Sequence, residues 1–145
     1  MAVGDLKGEE AICIKLTLGA TATTGQVIAL QADGKWDPVT TGMPGKFAVA
    51  LEGGDDTEEV MACVYGRVEV QATAATIPKG AHVIAGSTGK IVKATAMTAL
   101  DAPASYVEAT VQTELDKIQD PRLLVGTVME AFGSGETGTL FVGMV

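Results

Sequence analysis

The sequence predicts a mainly β fold, a compact antiparallel barrel of short strands with one short amphipathic helix in an insertion. Three observations carry this reading. Apolar residues make up 47 % of the chain, yet aromatics are only 4 % and glycines number 18. That composition builds thin, closely connected β layers rather than a wide aromatic-lined pocket. Short β-branched runs alternate with turn residues along most of the chain, and few stretches show a helical period. Strands of this kind, not separated by helices, pair as an antiparallel barrel or sandwich. At 145 residues the chain suits a single domain with a real core. Residues 1–10 read as an N-terminal arm and residues 11–145 as the β-rich domain.

In order along the chain, "AICIKL" opens the first strand, with Ile12, Ile14, Leu16 and Leu18 alternating against Cys13, Lys15 and Thr17. This is the period of a half-buried strand. The small-residue loop "GATATTG" delivers the chain into "QVIAL", and a turn at Ala32, Asp33 and Gly34 reverses it into "KWDPV". "KFAVALE" and "EVMACVYGRVEV" follow, joined by the acidic glycine turn Gly53, Gly54, Asp55, Asp56 and Thr57, a strong hairpin signal. Val83, Ile84 and Ala85 then face Ile91 and Val92 across Gly86, Ser87, Thr88 and Gly89, again hairpin chemistry.

The second half echoes the first. "GQVIA" at Gly25 corresponds to "GAHVIA" at Gly80, Gly34 and Lys35 to Gly89 and Lys90, and Glu52 to Glu130. This predicts an internal repeat, residues 25–70 and 80–145, although two halves built from the same hairpin grammar would also look alike. The copies differ by an insertion at residues 98–120. There Ser105 and Glu108 have capping-box spacing, Val107, Val111, Leu115 and Ile118 share one helical face, and Pro121 stands at the stop. A helix over residues 106–119 is expected.

The chemistry-bearing residues are sparse. "VIAGSTGKIVKA" has the look of a phosphate-binding loop, but the position that should hold its first glycine is Ile84, and Ile91 stands where a metal-binding hydroxyl should follow Lys90. His82 is the only histidine, too few for a zinc site. Cys13 and Cys63 sit in strand-like runs rather than a C-x-x-C unit and read as free buried thiols. The run "EGGDDTEE" gathers Glu52, Asp55, Asp56, Glu58 and Glu59 without the ligand spacing of a calcium loop, so it reads as a solvated hairpin tip. The formal net charge is −8 with no cluster of Lys or Arg, which argues against direct nucleic-acid binding. No signal-peptide layout or membrane-length apolar run occurs, and the expectation is a protein made in the cytoplasm. No catalytic residue, cofactor or metal site is expected.

With these residues in view, the chain resembles the head-decoration, or capsid cement, proteins of tailed phages. Residues 25–70 resemble the lambda-type decoration protein in order of elements: strand, short turn with a basic residue, Trp-Asp, Gly-rich loop, then an "x-x-A-V-A" strand and hairpin. "PKGAHVIAGSTGKIV" and "VGTVMEAFGSGETGTLFVGM" resemble a related family of small phage structural proteins sometimes labelled recombinase-like. The resemblance implies a β-tulip, β-clip-like domain on the outer capsid surface of a virion. It would be a homo-trimer at local three-fold axes, with the major capsid protein as partner, and would lock neighbouring capsid subunits after head expansion. Family members order an N-terminal arm against the capsid. Here the arm is short, and the residues it offers are Ala2, Val3, Gly4, Asp5, Leu6 and Lys7, of which Val3 and Leu6 can bury apolar surface. The alternatives are a nucleotide-binding or recombinase-like enzyme and a small divalent-metal-binding β module.

Overall fold

The computed structural model describes residues 3–4, 11–73, 76–94 and 124–143. They form a mainly β, curled antiparallel structure. Among the described residues the strands are β1 (Ile12–Thr17), β2 (Val27–Leu30), β3 (Trp36–Pro38), β4 (Phe47–Ala50), β5 (Glu59–Gln71), β6 (His82–Ala85), β7 (Ile91–Lys93), β8 (Leu124–Val128) and β9 (Thr137–Val142). A single 3-10 turn, Ser87–Gly89, joins β6 to β7. β1, β2, β4, β5, β6 and β7 fall on runs whose alternation or β-branching predicts them. The expected helix over residues 106–119 and the insertion at residues 98–120 lie outside the described residues.

Strand order is β3-β2-β4-β5-β9-β8-β6-β7, with β1 paired to β5 as a branch off this path. β5 is long, with 13 residues, because it serves two ladders. Its first half meets β4 and β1, and Gly66 to Gln71 pair with β9. Each half of the sheet then curls back on itself. Leu18, just past β1, bridges Trp36 of β3 in parallel, and Ala72, just past β5, bridges Ile91 of β7 in parallel. β5 is thus the last strand of one small open-sided barrel and the first of the next.

The same hydrogen-bond plan runs through both halves. Gly25 N–H donates to Ala50 O at 2.7 Å as Gly80 N–H donates to Val128 O at 2.9 Å. Gln26 N–H closes a turn on Thr23 O as Ala81 N–H closes one on Pro78 O, both at 3.2 Å. Val39 N–H reaches Val27 O as Ala94 N–H reaches His82 O. Ala22 bridges Gly54 as Ile77 bridges Phe132. The correspondence advances between Val39 with Ala94 and Ala50 with Val128, which is where the second half carries its extra residues.

One matched pair differs in strain. Thr57 N–H donates to Leu18 O at φ 72°, and Gly135 N–H donates to Ala72 O at φ 74°. A β-branched residue is costly in this left-handed region, whereas glycine is at home there. Thr57 is exposed, so little packing offsets the cost. Thr57→Gly should therefore raise stability by about 0.5–1 kcal/mol, the relieved strain exceeding the added chain entropy. Urea melts of the two proteins would measure it, and a loss of stability would show that Thr57 is not strained.

Among the described residues two apolar clusters hold the fold. One, inside the first barrel, contains Leu16, Leu18, Ala22, Ile28, Ala48, Ala50, Val60 and Ala62. Their counterparts by hydrogen bonding include Val70, Ala72, Ile77, Val83, Val128 and Leu140 in the larger cluster, which runs on without a break into Val27, Ala29, Val49 and Cys63 of the first half. Interiors pack to near-crystalline density, so the two barrels must fill the same space with different letters. Where the first has Val60 and Gly54, the second has Gly138 and Phe132, and Leu18 gives way to Ala72. A Cβ on Gly54 would come within 2.8 Å of Val60 Cγ1, and one on Gly138 would strike the Phe132 ring. The large side chain has moved from the strand to the loop.

Candidate functional site

The arm is described at Val3 and Gly4; Ala2, Asp5, Leu6 and Lys7 lie outside the described residues. Gly4 is buried, and its N–H donates to Glu69 O at 2.8 Å, taking up an outward-facing carbonyl on the edge of β5. A Cβ on Gly25 would collide with Val3, so Val3 lies flat on that turn. The arm therefore touches its own body at these two residues, beside a cavity of about 190 Å³ lined by Val3, Thr24, Gln26, Gln71, Thr88 and Lys90 among others. Glu69 beneath it is 2 % exposed, and its Oε1 accepts from Thr139 Oγ1 at 3.0 Å.

The turn that resembles a phosphate loop borders the same cavity. A phosphate cradle needs free backbone N–H groups pointing at one centre. Here Gly86 N–H donates to Lys90 O, Gly89 N–H to Val39 O and Lys90 N–H to Ser87 O. Gln26 Nε2 donates to Thr88 O from the side. Two of these amides bond within the hairpin and the third reaches Val39 O beyond it, so the three do not converge on one centre, and the geometry is that of a β6–β7 turn.

The acidic tip behaves as its charge run predicts. Glu52, Asp55, Asp56, Glu58 and Glu59 are all exposed, and Thr21 Oγ1 donates to Asp55 Oδ1 at 3.3 Å. Among the described residues no group of three or more His, Cys, Asp or Glu is arranged to hold a metal ion. His82 is exposed with Thr127 Oγ1 at 3.3 Å from its Nδ1. In the matching tip of the second half, Glu136 is also exposed and its carboxylate accepts from Gly133 N–H at 2.8 Å.

The open apolar surface lies elsewhere. Ile12 is 57 % exposed, Tyr65 44 % and Ile14 42 %, and Tyr65 meets Phe141 edge to face with ring centroids 5.1 Å apart. Ile14 also edges a groove of about 420 Å³ with Trp36, Phe47, Val64, Leu124 and Val125. Strand alternation places Ile14 on one face of β1, but exposure depends on what lies across that face, and periodicity alone does not reveal it.

No protein-family model matches the chain, and a search of curated proteins found no match. Among solved structures, the chain is similar in fold to the N base of head fiber gp8.5 of bacteriophage phi29. The likeness has a TM-score of 0.56 at 15 % sequence identity and covers 92 % of this chain and 95 % of that one.

Proposed function

We propose that this chain is a non-enzymatic structural protein of a phage virion that binds the outside of the expanded head and cements neighbouring capsid subunits. The observation that carries the reading is the fold likeness to a phage head-fiber base over nearly the whole of both chains. The chemistry agrees with it. Gly86, Gly89 and Lys90 of the glycine turn spend their amides on carbonyls of the protein, and the acidic side chains of the hairpin tip point into solvent, while apolar surface is offered around Ile12, Ile14 and Tyr65. Surface of that kind serves contacts between proteins. The doubled hydrogen-bond plan is read here as an internal duplication.

In this proposal the major capsid protein is the partner and the arm, Ala2 to Lys7, is the contact segment. Gly4, held on Glu69 O, ties the arm to the body at that point. The protein acts as a homo-trimer, because a small domain with open strand edges gains area by closing cyclic interfaces. A protein that binds the expanded shell and not its precursor shifts the shell toward expansion by that difference in affinity. Many modest contacts then suffice.

The test is to add the purified protein to undecorated, expanded heads of the encoding phage. The intact chain should saturate them and raise their heat resistance. A chain lacking residues 2–9, with its own melting temperature checked, should bind roughly tenfold more weakly or worse. Failure of the intact chain to bind overturns the cement reading, and undiminished binding by the shortened chain removes the arm from it.

A further inference from the structure

We propose that Cys13 and Cys63 are an oxidation site, closing reversibly into a cross-strand disulfide that clamps β1 onto β5. The two residues are direct partners in the β1–β5 ladder. Leu18 N–H donates to Glu58 O at 2.9 Å, so in this register the hydrogen-bonded positions fall on Leu18, Leu16 and Ile14. Cys13 with Cys63 is then a non-hydrogen-bonded pair, the kind in which the Cα atoms approach to about 4.5 Å and the side chains share one face. That separation lies at the short end of the roughly 4.4–6.8 Å that disulfides span.

The surroundings favour closure. Both thiols are free, Cys63 buried and Cys13 partly buried, and both pack into the larger apolar cluster. The Cys13 thiol lies beside that of Cys63, and Cys63 Sγ donates to Tyr65 O at 3.4 Å. The register slips between Ile12 and Cys13, so that Ile12 meets Tyr65 and Val64 is the extra residue. A bulge next to the pair gives the strands local freedom to adjust.

The oxidant is a small disulfide such as oxidised glutathione. The Cys13 thiolate, the more accessible of the two, attacks one glutathione sulfur and expels the other half as a thiolate. The Cys63 thiolate then attacks the Cys13 sulfur and expels the remaining glutathione. Two protein thiols become one disulfide, the small disulfide becomes two thiols, and the protons pass to them. Burial, with the Cys13 thiol next to it, pushes the Cys63 thiol up to about 11, so the second step is the slow one and quickens as pH rises.

The experiment incubates the native chain with oxidised glutathione at mildly alkaline pH, followed by mass measurement and peptide mapping. Expected are a mass lower by two hydrogen atoms, a peptide linking Cys13 to Cys63, and a melting temperature raised by roughly 5–10 °C that falls back on adding a dithiol reductant. Cys63→Ala should stop at a glutathione adduct on Cys13, and Cys13→Ala should stay unmodified over the same time. A wild-type chain that retains its glutathione adduct, reacts only when denatured, or links only between molecules overturns the proposal.

Discussion

Replacing Gly126 by Ala should destabilise the protein by about 3 kcal/mol or more, a loss that is a large part of what a domain of this size has. Gly126 pairs with Val142 across the β8–β9 ladder and with Val83 across β6–β8. A Cβ there would lie against Phe141 O and C, and 3.1 Å from Val142 Cα. All three are backbone atoms of β9, so relief requires prising the ladder apart rather than turning a side chain. The matching position in the first half is Ala48, which tolerates its methyl because the β4–β5 ladder runs only through Val49 with Cys63 and Ala50 with Ala62. Beyond Val49 no β5 residue is paired with Ala48, whose one ladder partner is Ile28 of β2 on the other side. Gly135→Ala is the control. It faces open space at φ 74° and should cost only about 1–2 kcal/mol. Urea unfolding of the two variants should separate them clearly, and equal losses would show that the Gly126 contact relaxes without breaking the ladder.

The strands were legible in the sequence because their cause is local. Alternation at Ile12, Ile14 and Leu16 and the turn residues at Gly34 and Gly53 act over a few residues, and the structure puts β1, β2, β4 and β5 there. The turn at residues 86–90 was legible for the same reason. Pairing was legible only within hairpins, β2 with β3, β4 with β5 and β6 with β7. That β1 lies on β5, bringing Cys13 opposite Cys63, depends on contacts across some fifty residues of sequence, on which local patterning is silent. The doubled plan shows why letters mislead. "VIA" occurs at Val27 and again at Val83, yet hydrogen bonding matches Val27 with His82 and Ile28 with Val83. Each barrel fixes its backbone by turns and ladders, and fills its interior with whatever side chains sum to the right volume. The candidate contact site was the least legible part. Val3 and Leu6 mark an apolar arm in the sequence, but nothing in their spacing tells that Gly4 reaches Glu69 O.

Phe132 should prove both essential and tightly coupled to Gly138. Its ring is 5 % exposed and belongs to the larger cluster, so Phe132→Ala should cost about 3–5 kcal/mol through lost burial and the cavity left behind. Gly138→Ala should cost less, about 1–3 kcal/mol, because the atoms its Cβ would strike are Cγ, Cδ1 and Cε1 of the Phe132 ring, a side chain that can shift at the expense of its packing. In the double variant the new methyl enters space that the ring has vacated, so its collision disappears and part of the cavity is filled. The double loss should therefore fall short of the sum of the single losses by about 1 kcal/mol or more, a coupling typical of residues in direct contact. The first barrel supports this expectation, since there the strand position carries Val60 and the loop position Gly54, the reverse assignment of large and small. A double-mutant cycle in urea measures the coupling. Losses that add to within about 0.5 kcal/mol, as for distant sites, would mean that the two positions do not divide one volume between them.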